Sequence, residues 1–166
     1  MSEDWFSNDA LFFDQLKKGY AWQHLPAVFF RCSGLAVEIP NLTVRQDVSE
    51  ASRWTKSDTD LIVDGHVIEI KSRGERFTCA ADFPYDEPFV DTVAGYDAKK
   101  PPPVAYVFVS QITGAMLAIN SQTKTFFRIV AKHDRVRNID ENFYVCQRSA
   151  LRTMDQLVRY IKQGCT

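Results

Sequence analysis

The alternation of apolar and polar positions is clearest between residues 59 and 72, where two runs rich in β-branched residues flank Asp64-Gly65. An Asp-Gly pair in that setting favours a two-residue turn, so the pattern predicts a β-hairpin. Val104-Ala-Tyr-Val-Phe-Val109 is apolar throughout, as a strand covered on both faces must be. Leu35 to Ile39, Met116 to Ile119 and Phe126 to Val130 predict further strands, with Pro101-Pro102-Pro103 as a stiff lead-in to the 104–109 strand. Helical spacing dominates both ends of the chain. Leu11, Phe12 and Leu16 define a helix from Asn8 to about Lys18, which Gly19 is expected to break. Tyr20 to Phe30 then reads as a second helical stretch, kinked or restarted at Pro26. Between about Ala150 and Lys162, Leu151, Met154, Leu157, Val158 and Ile161 form the inner face of an amphipathic helix. Phe83 to Tyr96 reads as an irregular segment with room for a helix; its acids Asp86, Glu87 and Asp91 would either fold over the hairpin or, the better explanation, be surface charges. The resulting expectation is an α/β fold, a mixed central sheet covered by helices on at least two sides.

Length and composition narrow this picture. The chain has 166 residues, enough for one domain, and its 45% apolar and 25% charged content is that of a globular protein. A formal net charge of -1 gives no overall basic excess, so a site for a polyanion has to be local or completed by metal cations. Cys32, Cys79, Cys146 and Cys165 are scattered, and His24, His66 and His133 lack ligand spacing, which argues against a structural zinc. The N-terminus has no basic and apolar leader pattern, and no apolar run approaches the ~20 residues of a membrane span. With unpaired thiols, this predicts a cytoplasmic protein. No nucleophile-elbow pattern, catalytic triad or phosphate-cradling glycine loop is present among the seven glycines.

The candidate chemistry sits in the predicted hairpin. With Asp64 and Gly65 as the loop, Val63 faces His66, Leu61 faces Ile68, Asp60 faces Glu69 and Asp58 faces Lys71. Strand alternation places Asp58, Asp60, Glu69 and Lys71 on one face and Ile68 and Ile70 on the other. Directly opposed Cβ atoms lie ~4.5–5.5 Å apart, so two carboxylates there repel unless a cation neutralises them. Oxygen ligands suit a hard ion, Mg²⁺ or Mn²⁺, and Lys71 would orient or deprotonate an attacking water or stabilise a phosphate. A solvated hairpin face, with Asp58 and Lys71 as an exposed ion pair, is the other explanation of the same pattern. Glu38 and Glu50 are alternative ligands better explained as a strand's polar side and a loop residue. Arg148, Arg152, Arg159 and Lys162 form a stripe on the final helix that would track a nucleic-acid backbone or simply face water, and Arg73 is a further candidate contact. Trp22 is expected to pack in the core, whereas Trp54, in a polar loop, is open to stacking on a base.

The run Asp60-Leu-Ile-Val-Asp-Gly-His-Val-Ile-Glu69-Ile-Lys71 resembles the metal-binding hairpin of PD-(D/E)XK nucleases, with Thr59 where the proline is usual. The resemblance implies a restriction-endonuclease-like core, with elements in the order αβββαβ followed by extra C-terminal strands and a helix. It also implies metal ligation by Asp60, Glu69 and the Ile70 carbonyl, with Lys71 assisting the water. Where related nucleases carry an upstream glutamate, Gly19-Tyr-Ala-Trp-Gln23 supplies Gln23, and Ser110 and Gln111 stand where many relatives place a polar residue near the site. The match covers roughly Gly19 to Gln111 and is strong from Asp58 to Lys71. The function it implies is Mg²⁺- or Mn²⁺-dependent hydrolysis of DNA phosphodiester bonds, in a phage or mobile-element setting, acting alone, as a homodimer or within a larger nucleoprotein complex. The alternative is a catalytically inactive protein on the same fold that binds nucleic acid or serves in assembly.

Overall fold

The computed structural model describes residues 4–40, 59–134 and 138–165. Helix α1 (Asp4–Cys32) runs without a break through Gly19 and carries Pro26 in its interior. A single glycine costs a helix only ~1 kcal/mol, which the packing of the following turns offsets. Gln23, Ala27 and Phe30 recur at helical spacing and are all buried, so they mark the stripe that faces the sheet.

After α1 come β1 (Val37–Glu38), β2 (Leu61–Val63) and β3 (His66–Arg73), an antiparallel meander. Asp64 at φ 47° and Gly65 at φ 80° form the turn between β2 and β3, both in the left-handed region that a two-residue hairpin of this hand requires. The pairing Leu61 to Ile68 and Val63 to His66 is the register expected from the sequence. Asp64 also anchors the turn to β1, because its carboxylate accepts from the Ala36 N–H at 2.7 Å.

The segment read as irregular contains an unexpected strand, β4 (Phe89–Thr92), and leads into a short helix, α2 (Val93–Ala98), which Thr92 caps by accepting from the Gly95 N–H. The chain then enters β5 (Ala105–Ser110), which pairs parallel with β3 through Glu69–Tyr106, Ile70–Val107 and Lys71–Phe108. β6 (Met116–Asn120) follows antiparallel, giving a six-stranded mixed sheet in the order β1-β2-β3-β5-β6-β9, where β9 is Arg152–Thr153. β7 (Arg128–Asp134) begins two residues later than expected and pairs with β8 (Ile139–Val145), a strand not anticipated from the pattern. With β4 they form a second, three-stranded sheet in the order β4-β8-β7.

The long helices α1 and α3 cover one face of the central sheet, and the short α2 supplies only part of the cover on the other. Ala27 and Phe30 of α1 and Met154, Leu157, Val158 and Ile161 of α3 (Met154–Lys162) pack with Ile68, Ile70, Val107 and Val109. The opposite face, carrying Tyr106, Phe108, Leu117 and Ile119, is covered by Phe77, Phe83, Val90, Tyr96 and Tyr144 from the second sheet, α2 and the loop before β4. The physical reason is local: α2 is only six residues, too short to shield a sheet face, and the β7–β8 hairpin supplies the missing cover. The final helix starts later than expected, at Met154, where a capping box between Thr153 and Gln156 fixes its first turn. Leu151 is buried but precedes the helix, Arg148 lies in a 3-10 turn and Arg152 in β9, so only Arg159 and Lys162 of the expected stripe share the helix.

Candidate active site

Glu69 and Lys71 point to the face of β3 that carries Tyr106 and Phe108, into the seam between the two sheets. Asp60 stands one residue outside the β2 ladder. Continuing the hairpin register would pair Ile70 N–H with a backbone carbonyl of residue 59; the Asp60 carboxylate takes it instead, at 2.8 Å. Its other oxygen accepts from Gln23 Nε2 at 2.6 Å, so α1, the start of β2 and the middle of β3 are tied at one buried point. Asp60 is 3% and Gln23 4% exposed, which makes this hydrogen bond an interior one.

Two residues join the site that were not assigned to it from the sequence. Asp91 of β4, expected at the surface, has a side chain only 9% exposed, and Lys99, which caps the end of α2, is 12% exposed. Lys71 Nζ lies 3.2 Å from Glu69 Oε1 and 3.1 Å from Asp91 Oδ1. Lys99 Nζ lies 2.9 Å from Asp91 Oδ2 and 3.4 Å from Glu69 Oε1. The four side chains thus form a closed ring of alternating charge. Tyr106 donates its hydroxyl to Asp91 Oδ2 at 3.2 Å, and the Lys71 ammonium sits 5.7 Å from the Tyr106 ring centre. The sequence did hold a partial signal for Asp91: Phe89-Val-Asp-Thr92 is a short β-type run ending in a good helix cap. Nothing local indicates that it pairs with β8, more than fifty positions on.

The electrostatics follow from burial and charge order. Burial pushes the Glu69 carboxyl above its ordinary range, a trend that Lys71 opposes and Asp60 reinforces. Burial alone would lower Lys71, yet Glu69, Asp91 and Asp60 together hold it well above the usual lysine value, so it stays protonated. Asp91 is also desolvated, but Lys71 and Lys99 outweigh this and keep it below the usual carboxylate range. Burial likewise raises the Tyr106 hydroxyl, so it remains a neutral donor. One atom is left over: Glu69 Oε2 is buried and has no hydrogen-bond partner among the described residues.

That orphaned acceptor bears on a metal. Among the described residues no group of three or more His, Cys, Asp or Glu side chains is arranged to hold an ion. A magnesium site, however, needs only one or two carboxylates with retained waters, and Asp60 and Glu69 supply two, one with an unpaired oxygen. The donor set is all oxygen. It fits a hard divalent cation.

Other expected members are placed differently. Arg73 lies over the Phe108 ring at 4.5 Å and donates to the Phe89 carbonyl, at the edge of the seam between the sheets. Gln111 Nε2 donates to Ser72 Oγ at 3.1 Å, on the far side of β3 from Lys71, and Ser110 is fully buried organising the β5–β6 turn. Arg148 pairs with Asp86 and donates to the Phe83 carbonyl, and Arg152 donates to the carbonyls of Ser149 and Leu151. Arg159 is exposed on α3. Glu38 is exposed on β1, and Trp22 packs at the margin of the core as expected. Asp58, Glu50 and Trp54 lie outside the described residues. All four cysteines are free thiols, and among the described residues no helix is long and apolar enough to cross a membrane. The sequence matches no protein-family model and, at a significant level, no curated protein.

Proposed function

We propose that the protein is a metal-dependent nuclease of PD-(D/E)XK type that hydrolyses DNA phosphodiester bonds. The observation that carries this reading is the Lys71–Glu69 pair on β3, with an unpaired, buried Glu69 oxygen, next to Ile70, whose N–H is taken by the buried Asp60 carboxylate. The element order supports it: a helix, a three-strand antiparallel meander and a crossover into a strand parallel to β3. So does Gln23, which reaches Asp60 from the position where related nucleases carry an upstream glutamate.

Asp60 and Glu69 would hold the cation, and the Ile70 carbonyl, which projects to the same side of β3 as its N–H, faces Asp60 as well. A bound Mg²⁺ or Mn²⁺ supplies neutralisation of a phosphate oxygen and acidifies water at neutral pH. Lys71 acts as an ammonium, because the surrounding carboxylates keep it protonated. As an ammonium it would donate a hydrogen bond and positive charge to a phosphate oxygen or an oriented water. Asp91 fixes the direction of Lys71 from the opposite side. Counting formal charges, three acids and two lysines leave the site at -1, which suits one divalent ion better than a bare polyanion.

One observation favours a second reading, an inactive nuclease fold that binds nucleic acid or a partner. Lys71 and Lys99 already neutralise Glu69 and Asp91, so the ring is internally satisfied at all but one atom. Incubating purified protein with plasmid, branched and single-stranded DNA, and parallel RNA, in Mg²⁺, Mn²⁺ or EDTA separates the two. Metal-dependent cutting of DNA that falls at least ~100-fold in Lys71→Ala supports the enzyme. Binding without cutting on every substrate would leave the second reading standing.

A further inference from the structure

We infer that Lys99 is a built-in cation that occupies the carboxylate site in competition with a divalent metal, so that metal entry requires its ammonium to leave Glu69. This rests on the nuclease reading above and adds a regulation of the same site. Lys71 is required near Glu69 by its place two residues along β3, but Lys99 is brought there from a different element, the end of α2. Its ammonium is placed between the same two acids that Lys71 already bridges. The contacts are graded. Nζ lies 2.9 Å from Asp91 Oδ2, 3.3 Å from the Gly95 carbonyl and 3.4 Å from Glu69 Oε1.

The bond to Glu69 is thus the longest of the three, and two acceptors remain on the α2 side if it breaks. Lys99 can withdraw toward Asp91 and Gly95 without being stranded. Meanwhile Glu69 Oε2 is buried and unpartnered, so the carboxylate is only half-compensated by its two lysines. A divalent ion at Glu69 meets a fixed positive charge at short range until Lys99 moves, and Coulomb repulsion in a partly buried site lowers its affinity by about tenfold or more.

The test uses the full chain and Mn²⁺ alone, with no nucleic acid. Free Mn²⁺ is followed by electron paramagnetic resonance during titration of wild type, Lys99→Met and Lys99→Arg, with circular dichroism as the folding control. The methionine variant keeps the apolar stem and removes the charge; it is expected to bind Mn²⁺ roughly tenfold tighter or more, and the arginine variant no tighter than wild type. A second measurement needs no substitution. Trace acetylation mapped by mass spectrometry is expected to show Lys99 gaining reactivity when Mn²⁺ is added to wild type. If wild type binds Mn²⁺ but folded Lys99→Met binds no tighter, or Lys99 reactivity does not change, the inference falls and the nuclease reading stands. If no form binds Mn²⁺, both fall together.

Discussion

Replacing Asp91 by asparagine tests the ring of charges directly. The wild-type carboxylate receives Lys71 and the Thr92 N–H on one oxygen and Lys99 and the Tyr106 hydroxyl on the other. Asparagine keeps the shape, but its one acceptor oxygen serves a single ammonium, its NH2 faces the other, and Glu69 becomes the only charge the two lysines share. Removing one partner of a buried ion pair costs ~3–5 kcal/mol. The Lys71 side chain is 26% exposed, and Glu69 remains as a counter-charge, so a value at or just below the bottom of that range is appropriate. We expect Asp91→Asn to lose about 2–3 kcal/mol at pH 7, or about 5–10 °C in melting temperature for a chain of this length. The pH dependence has a definite sign. Because the folded carboxyl lies below its ordinary value of 3.8, its contribution is complete above that pH and is lost as pH falls through the lower, folded value. Urea unfolding followed by circular dichroism at several pH values should therefore show the two proteins converging in acid. A loss under 0.5 kcal/mol on the scale of an exposed pair, or a loss that does not shrink on acidification, would refute the reasoning. Combining Asp91→Asn with Lys99→Met should recover at least ~1 kcal/mol relative to additivity, since the second change removes the stranded ammonium.

Gly65→Ala should cost about 1–2 kcal/mol by thermal denaturation, because the backbone there sits at φ 80° although a Cβ would meet nothing within 4 Å. An unchanged melting point would mean that the hairpin turn is not of this type. Gln23→Glu replaces the donor to Asp60 with a third acceptor, so it should lose about 1–3 kcal/mol without divalent ions and gain a larger Mn²⁺-induced rise in melting temperature than wild type. A variant as stable as wild type in EDTA would show that the Gln23–Asp60 hydrogen bond is not a stabilising one.

What the sequence determined by itself is the part governed by near neighbours. The Asp64-Gly65 pair sets the turn, the turn sets the register, and period-two alternation then sends Glu69 and Lys71 to one face and Ile68 and Ile70 to the other. The apolar 104–109 run and the stripe Met154, Leu157, Val158, Ile161 are legible for the same reason, since burial on a known period leaves a pattern in the chain. The charge environment was not legible. Asp91 looked like a surface acid because the segment around it shows no clear period, and only the pairing of β4 with β8 carries it against β3. Lys99 gave no signal at all. Nor was it legible that Arg73 would reach the Phe89 carbonyl and the Phe108 ring, or that a β-hairpin would share with the short α2 the cover opposite α1 and α3. Turn geometry and side-chain alternation are short-range consequences of backbone sterics. Which distant strand supplies the counter-charge is decided by which surfaces bury best together, and that is a property of the whole fold.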